Sequence, residues 1–192
     1  MRRSLVSTPT MIAAAVIALN SAAFAHPGHG GGLAAGLSHP FTGLDHMLAM
    51  VAVGLWASQL ERRAIILLPI MFPSMMAVGA ALGMSGVAMP WVEIAILVSV
   101  VTLGAAVALG VQASLVVSAA LVGAFAVFHG FAHGAEIPTS ASPLLYGLGF
   151  VAATLALHAI GVAVGSLTQR PLLMRAAGSA IAAAGLLLFV VR

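Results

Sequence analysis

The chain has 192 residues, of which 62% are hydrophobic and only 6% charged, and its formal net charge is +3. Soluble domains carry about 25% charged residues, so a water-soluble globule is excluded. All seven basic residues are arginines, too scattered to form a patch for nucleic acid, and the absence of cysteine excludes disulfides, iron–sulfur clusters and thiolate metal sites.

Residues 1–25 read as a secretory signal peptide. Arg2 and Arg3 form its positive start, residues 11–19 a short apolar core, and Ala23-Phe24-Ala25 an A-x-A cleavage site. An uncleaved first span is the alternative, but the apolar core is shorter than the ~20 residues a span needs. Cleavage predicts a mature chain that begins at His26, with five arginines against four acids. Residues 26–36 then form a periplasmic His/Gly leader. Its terminal amine, His26 and His29 offer three nitrogens to a metal ion. Pro27 has no amide N–H, so a square-planar site through that backbone nitrogen is impossible. A plain flexible leader is the other reading.

Residues 37–192 contain six apolar stretches of about membrane length: 37–58, 64–83, 91–110, 113–133, 144–166 and 172–191. The expectation is an all-α polytopic membrane bundle of six transmembrane helices joined by short loops. Arg62, Arg63, Arg170 and Arg175 fall in loops on one side, against Arg192 on the other. The positive-inside rule then puts the mature N-terminus in the periplasm and the bundle in the bacterial inner membrane. Trp91 and Trp56 are expected as interfacial anchors. Gly79 and Gly83, Gly130 and Gly134, and Gly161 and Gly165 have the spacing of close helix contacts. Pro69 and Pro73 each remove a backbone hydrogen bond from the second span and invite a kink.

Two histidine clusters stand out in this apolar chain: His39-Pro-Phe-Thr-Gly-Leu-Asp45-His46 and His129-Gly-Phe-Ala-His133-Gly-Ala-Glu136. Ionisable groups at membrane depth are costly and mark pathways or sites. Imidazole with carboxylate suits a borderline transition-metal ion. On the first span His39 and His46 are seven residues apart, which puts them on one face two turns apart, with Asp45 and His46 about 10 Å deeper than His39. Asp45 is expected either beside a neighbouring helix or as the carboxylate that orients an imidazole. His129, His133 and Glu136 follow i, i+4, i+7 spacing. With Glu93 at the start of the third span, these seven residues all fall in the outer half of the membrane. His158 lies deeper, as a further step inward or as a hydrogen-bonded core residue. Met71, Met75 and Met76 are either soft ligands or packing.

These segments resemble the HupE/UreJ family of bacterial membrane proteins. The resemblance covers the whole chain: the leader, the six spans, His-x5-Asp-His at His39 to His46, Met47 to Met50, Phe128-His129-Gly130, and His133-Gly134 with Glu136. The first motif is also similar to the His-x4-Asp-His element of nickel/cobalt permeases, with one residue more. On one helix that residue rotates the pair by ~100°. The resemblance implies nickel uptake for hydrogenase or urease maturation. The expected function is a permease or facilitator for Ni(II), with Co(II) second, rather than an enzyme, and with no resident prosthetic group. Its expected metal ligands are His39, Asp45, His46, His129, His133, Glu136, His26 and His29. Its partners are the ion and the lipid bilayer, with no nucleic acid; a homo-oligomer is compatible with so small a bundle. Two other readings remain at this point: an intramembrane metal-dependent hydrolase, and a metal-binding accessory protein that does not conduct. No H-E-x-x-H supports the hydrolase.

Overall fold

The computed structural model describes residues 32–137, 142–168 and 170–191. The expected signal peptide, residues 1–25, and the histidines His26 and His29 of the expected leader lie outside the described residues. Every regular element among those described is helical: α1 (Leu33–Ser38), a 3-10 turn (His39–Phe41), α2 (Leu44–Gln59), α3 (Ala64–Met84), α4 (Val92–Leu109), α5 (Leu115–Ala135), α6 (Pro143–Thr168) and α7 (Pro171–Val191). Helices α3 to α7 are each long and apolar enough to cross a membrane. The segments 33–41 and 44–59 make a sixth span when counted as one. Large apolar side chains such as Ile66, Val116, Leu144 and Leu172 are exposed on these helices, as a lipid-facing surface requires.

The first expected span is not one straight helix. Its two parts meet at an angle of 82°. Pro40 supplies no N–H, and the Thr42 backbone N–H and hydroxyl both donate to the His39 carbonyl, at 3.0 and 2.7 Å. Gly43 is extended (φ −102°, ψ 112°) and starts α2 afresh. The assumption that His39 and His46 share one helix face therefore fails, and with it the 10 Å difference in depth.

Short loops make α2 to α6 alternate in direction. The starts of α2, α4 and α6 and the ends of α3 and α5 form one end of the bundle, here the histidine end. Arg170 and Arg175 line a cavity of about 590 Å³ with Ser58, Gln59 and Gln112 at the opposite end.

Glycine governs how closely the helices approach. A Cβ at Gly130 would fall on the carbonyl of Met76, and one at Gly79 on that of Val127, so α5 and α3 pack backbone to backbone and run parallel. Helices α2 and α6 pack likewise through Gly54 and Gly161, and α4 meets α7 through Gly104 and Gly178. Small residues at such seams are the usual means of tight packing in lipid, where no hydrophobic force drives helices together.

The two tryptophans differ from each other. Trp91 begins α4 with a left-handed backbone (φ 65°) and is 74% exposed, as an interfacial anchor would be. Trp56 is buried, and its indole N–H donates to the Val111 carbonyl at 3.0 Å. It ties α2 to the loop after α4, and is not the lipid-facing anchor expected from its position near a span end.

Candidate metal site

The break before α2 turns His39 back over the histidine end of the bundle. A cavity of about 240 Å³ opens there, lined by His39, Thr42, Gly43, Asp45, His46, Glu93, Ala132, His133 and Glu136. Of the seven residues that the sequence singled out, all but His129 line it. His129 lies beneath, fully buried.

At the mouth, His39, His133 and Glu136 each bring a ligand atom to within 4.8 Å of the others. The Glu136 carboxylate lies 3.9 Å from His39 Nε2. Three ligands about 2.1 Å from one tetrahedral ion lie about 3.4 Å apart, so the triad must close by up to about 1.4 Å to hold an ion. Exposure falls along it: the side chain of Glu136 is 58% exposed and that of His39 30%, while His133 is buried. Met76, at the α3–α5 seam, is buried, whereas Met71 and Met75 border a groove beside Gly123 away from the histidines.

Below the mouth the imidazoles form a continuous series. The His133 ring lies 4.7 Å from that of His39 and 4.3 Å from that of His46; His46 lies 4.8 Å from His129. His39 and His46 thus both touch His133, brought to it by the bend rather than by helical spacing.

Hydrogen bonds fix which nitrogens keep a lone pair. The Asp45 carboxylate accepts from His46 Nδ1 at 2.8 Å. A carboxylate only accepts, so Nδ1 carries a proton, and in the neutral ring Nε2 keeps its lone pair. His46 Nε2 is buried without a hydrogen-bond partner. Ser99 gives its single hydroxyl proton to the Ile96 carbonyl at 2.6 Å, which leaves its oxygen to accept from His129 Nε2 at 2.9 Å. His129 Nδ1 then keeps its lone pair, again buried without a partner. Neither nitrogen of His133 has a partner. Buried polar atoms are normally satisfied. Here three neighbouring imidazoles keep nitrogens without a hydrogen-bond partner, while the group whose ligand atoms converge closely enough for one ion is His39, His133 and Glu136 at the mouth.

Four contributors had no signal, or a weak one, in the sequence. Ser99 was visible only as a hydroxyl in an apolar span. The Phe72 ring meets His129 edge-on at 5.4 Å, and the Phe150 ring lies tilted against His133 at 4.2 Å. Tyr146 lies 5.7 Å from His39. Aromatic residues in apolar helices carry no mark that separates such a wall from ordinary packing.

Residues 14–188 match the family model described as HupE / UreJ protein. The chain is 47% identical over 180 residues to "Protein HupE" of Rhizobium leguminosarum bv. viciae, covering 92% of this chain and 94% of that protein. No solved structure gives a significant match.

Proposed function

Since the chain belongs to the HupE/UreJ family, we propose that it is a permease for a divalent transition-metal ion, nickel first and cobalt second, serving hydrogenase or urease maturation. Family membership supports a part in handling such a metal, and five or six apolar helices place it in a membrane. The observation that carries the reading further is the run of unpartnered imidazole nitrogens on His46, His129 and His133 beneath an open mouth of His39, His133 and Glu136.

The mouth has the chemistry of capture. A partly exposed imidazole and a carboxylate exchange water for a hydrated ion in steps. His133 belongs to both layers, so an ion passes from the mouth to His46 and His129 without losing all its ligands at once. Few protein ligands at each step keep binding weak enough for release, as conduction requires. In this reading the histidine end faces the periplasm, the arginine end faces the cytoplasm, and the leader His26 and His29 deliver the ion. Asp45 acts through His46: it orients the ring and raises the basicity of Nε2.

The test is flux into proteoliposomes that contain this chain alone, with nickel, cobalt, copper and zinc offered in parallel. Nickel accumulation that is lost in His46→Ala and His133→Ala is the expected result. Binding without flux would assign the chain to the non-conducting accessory role instead.

A further inference from the structure

Beyond His129 lies a second buried histidine that the cluster does not use. His158 is fully buried on α6, fifteen residues after Pro143, or about 22 Å along the helix from the histidine end. His129 is only six residues from the end of α5, about 9 Å. Between the two stands Phe72, its ring 5.4 Å from His129 and 5.2 Å from His158.

No hydrogen bond of good geometry reaches either ring nitrogen of His158, and the one acceptor close to the ring is a backbone carbonyl, that of Pro69. Thr154, one turn earlier on the same face of α6, is fully buried, and its hydroxyl is likewise unpartnered. The third polar group comes from α3. Residue 73 is a proline with no N–H, so the carbonyl of Pro69 loses its helical donor. That carbonyl faces His158. One imidazole, one hydroxyl and one released carbonyl therefore converge in otherwise apolar packing.

We propose that His158, the Thr154 hydroxyl and the Pro69 carbonyl form a second, deeper coordination station for the transported divalent ion, separated from the outer cluster by the ring of Phe72. The inference rests on the permease reading. Its ligand set is neutral and has one nitrogen, against several nitrogens and the Glu136 carboxylate above. An ion there keeps part of its water and stays briefly, as a site on the way out should. Movement of the Phe72 ring joins the two stations.

The absence of cysteine from the chain provides a direct probe. In His158→Cys, Co(II) that reaches this depth acquires a thiolate ligand and a near-ultraviolet charge-transfer band that the wild type has no sulfur ligand to produce. In proteoliposomes, His158→Gln and His158→Asn are expected to hold Ni(II) at the outer cluster as the wild type does. Their flux is expected to fall about tenfold to a hundredfold, the range in which a single supporting group acts on a metal site. Wild-type flux in both substituted proteins, or a His158→Cys protein that conducts without the cobalt–thiolate band, would overturn the proposal. So would loss of outer-cluster binding in both, which would make His158 a purely structural residue. A wild type that conducts no metal overturns the permease reading instead, and the band then decides the deeper station by itself.

Discussion

The carboxylate of Asp45 accepts two hydrogen bonds from its neighbour His46, one from the backbone N–H and one from ring Nδ1, both at 2.8 Å. The first fixes the carboxylate at the start of α2, where the helix dipole favours negative charge. The second fixes the ring and leaves Nε2 bare. Asp45→Asn keeps an acceptor oxygen but removes the charge. We expect Ni(II) affinity to fall about tenfold to a hundredfold, measured by equilibrium dialysis of purified protein. In a His46→Ala background the same change should cost little, and equal losses in both backgrounds would show that Asp45 does not act through His46.

His39 and His133 are expected to fail differently. His39 is part-exposed at the mouth, whereas His133 touches the rings of both His39 and His46. His39→Ala should raise the half-saturating nickel concentration and leave the maximal rate nearly intact. His133→Ala should abolish both binding layers. Initial-rate uptake over a range of nickel concentrations separates the two patterns.

Protons compete with metal for imidazole nitrogen, and histidine ordinarily titrates near pH 6.5. The bare nitrogens of the cluster bind metal only while unprotonated. Nickel affinity should therefore be highest where they are all unprotonated and fall as acidification protonates them. Calorimetry in buffers of different ionisation enthalpy should also show proton release on binding at the lower pH. An affinity that does not fall even when the pH is low enough to protonate these rings would argue against imidazole ligands.

The seam between α3 and α5 predicts a stability effect coupled to the site. A Cβ at Gly130 meets the Met76 carbonyl backbone to backbone, so Gly130→Ala must separate the helices. Overpacking of this kind costs roughly 1–3 kcal/mol. Because Gly130 follows His129 directly, nickel affinity should fall along with the thermal midpoint in detergent. Gly147→Ala, where a Cβ meets nothing within 4 Å, should leave both unchanged.

Membrane orientation has a direct test in a chain without cysteine. Single-cysteine substitutions at Ser85 and Ser142 should react with an impermeant maleimide added outside intact cells. Arg63→Cys should react only after the cells are opened. The reverse pattern would invert the orientation and place the open mouth in the cytoplasm.

The spans were legible because long apolar runs in an almost uncharged chain admit few other folds, and the helix seams showed in glycines four apart such as Gly130 and Gly134. The participants in the histidine end were legible from the cost of burying His129 and His133. What periodicity could not reveal was the bend at Thr42 and Gly43. Helical spacing places His39 two turns from His46, and only the three-dimensional structure brings both rings against His133. Trp56 misled for a related reason: its position near a span end suggested lipid, while its indole N–H is committed to a carbonyl 55 residues away. Ser99 and Phe72 are ordinary residues for apolar helices, and only their partners distinguish them.

The break ahead of α2 also bears on how such a protein can change. In a continuous helix, adding or removing one residue between His39 and Asp45 would swing everything beyond it by ~100°. Here the extended Gly43 absorbs that change as a loop adjustment, and the floor built on Asp45 and His46 keeps its register. The lip of the cavity and its floor are therefore separately mutable: insertions, deletions or a replaced His39 can retune which ions enter while the buried imidazoles below keep their positions.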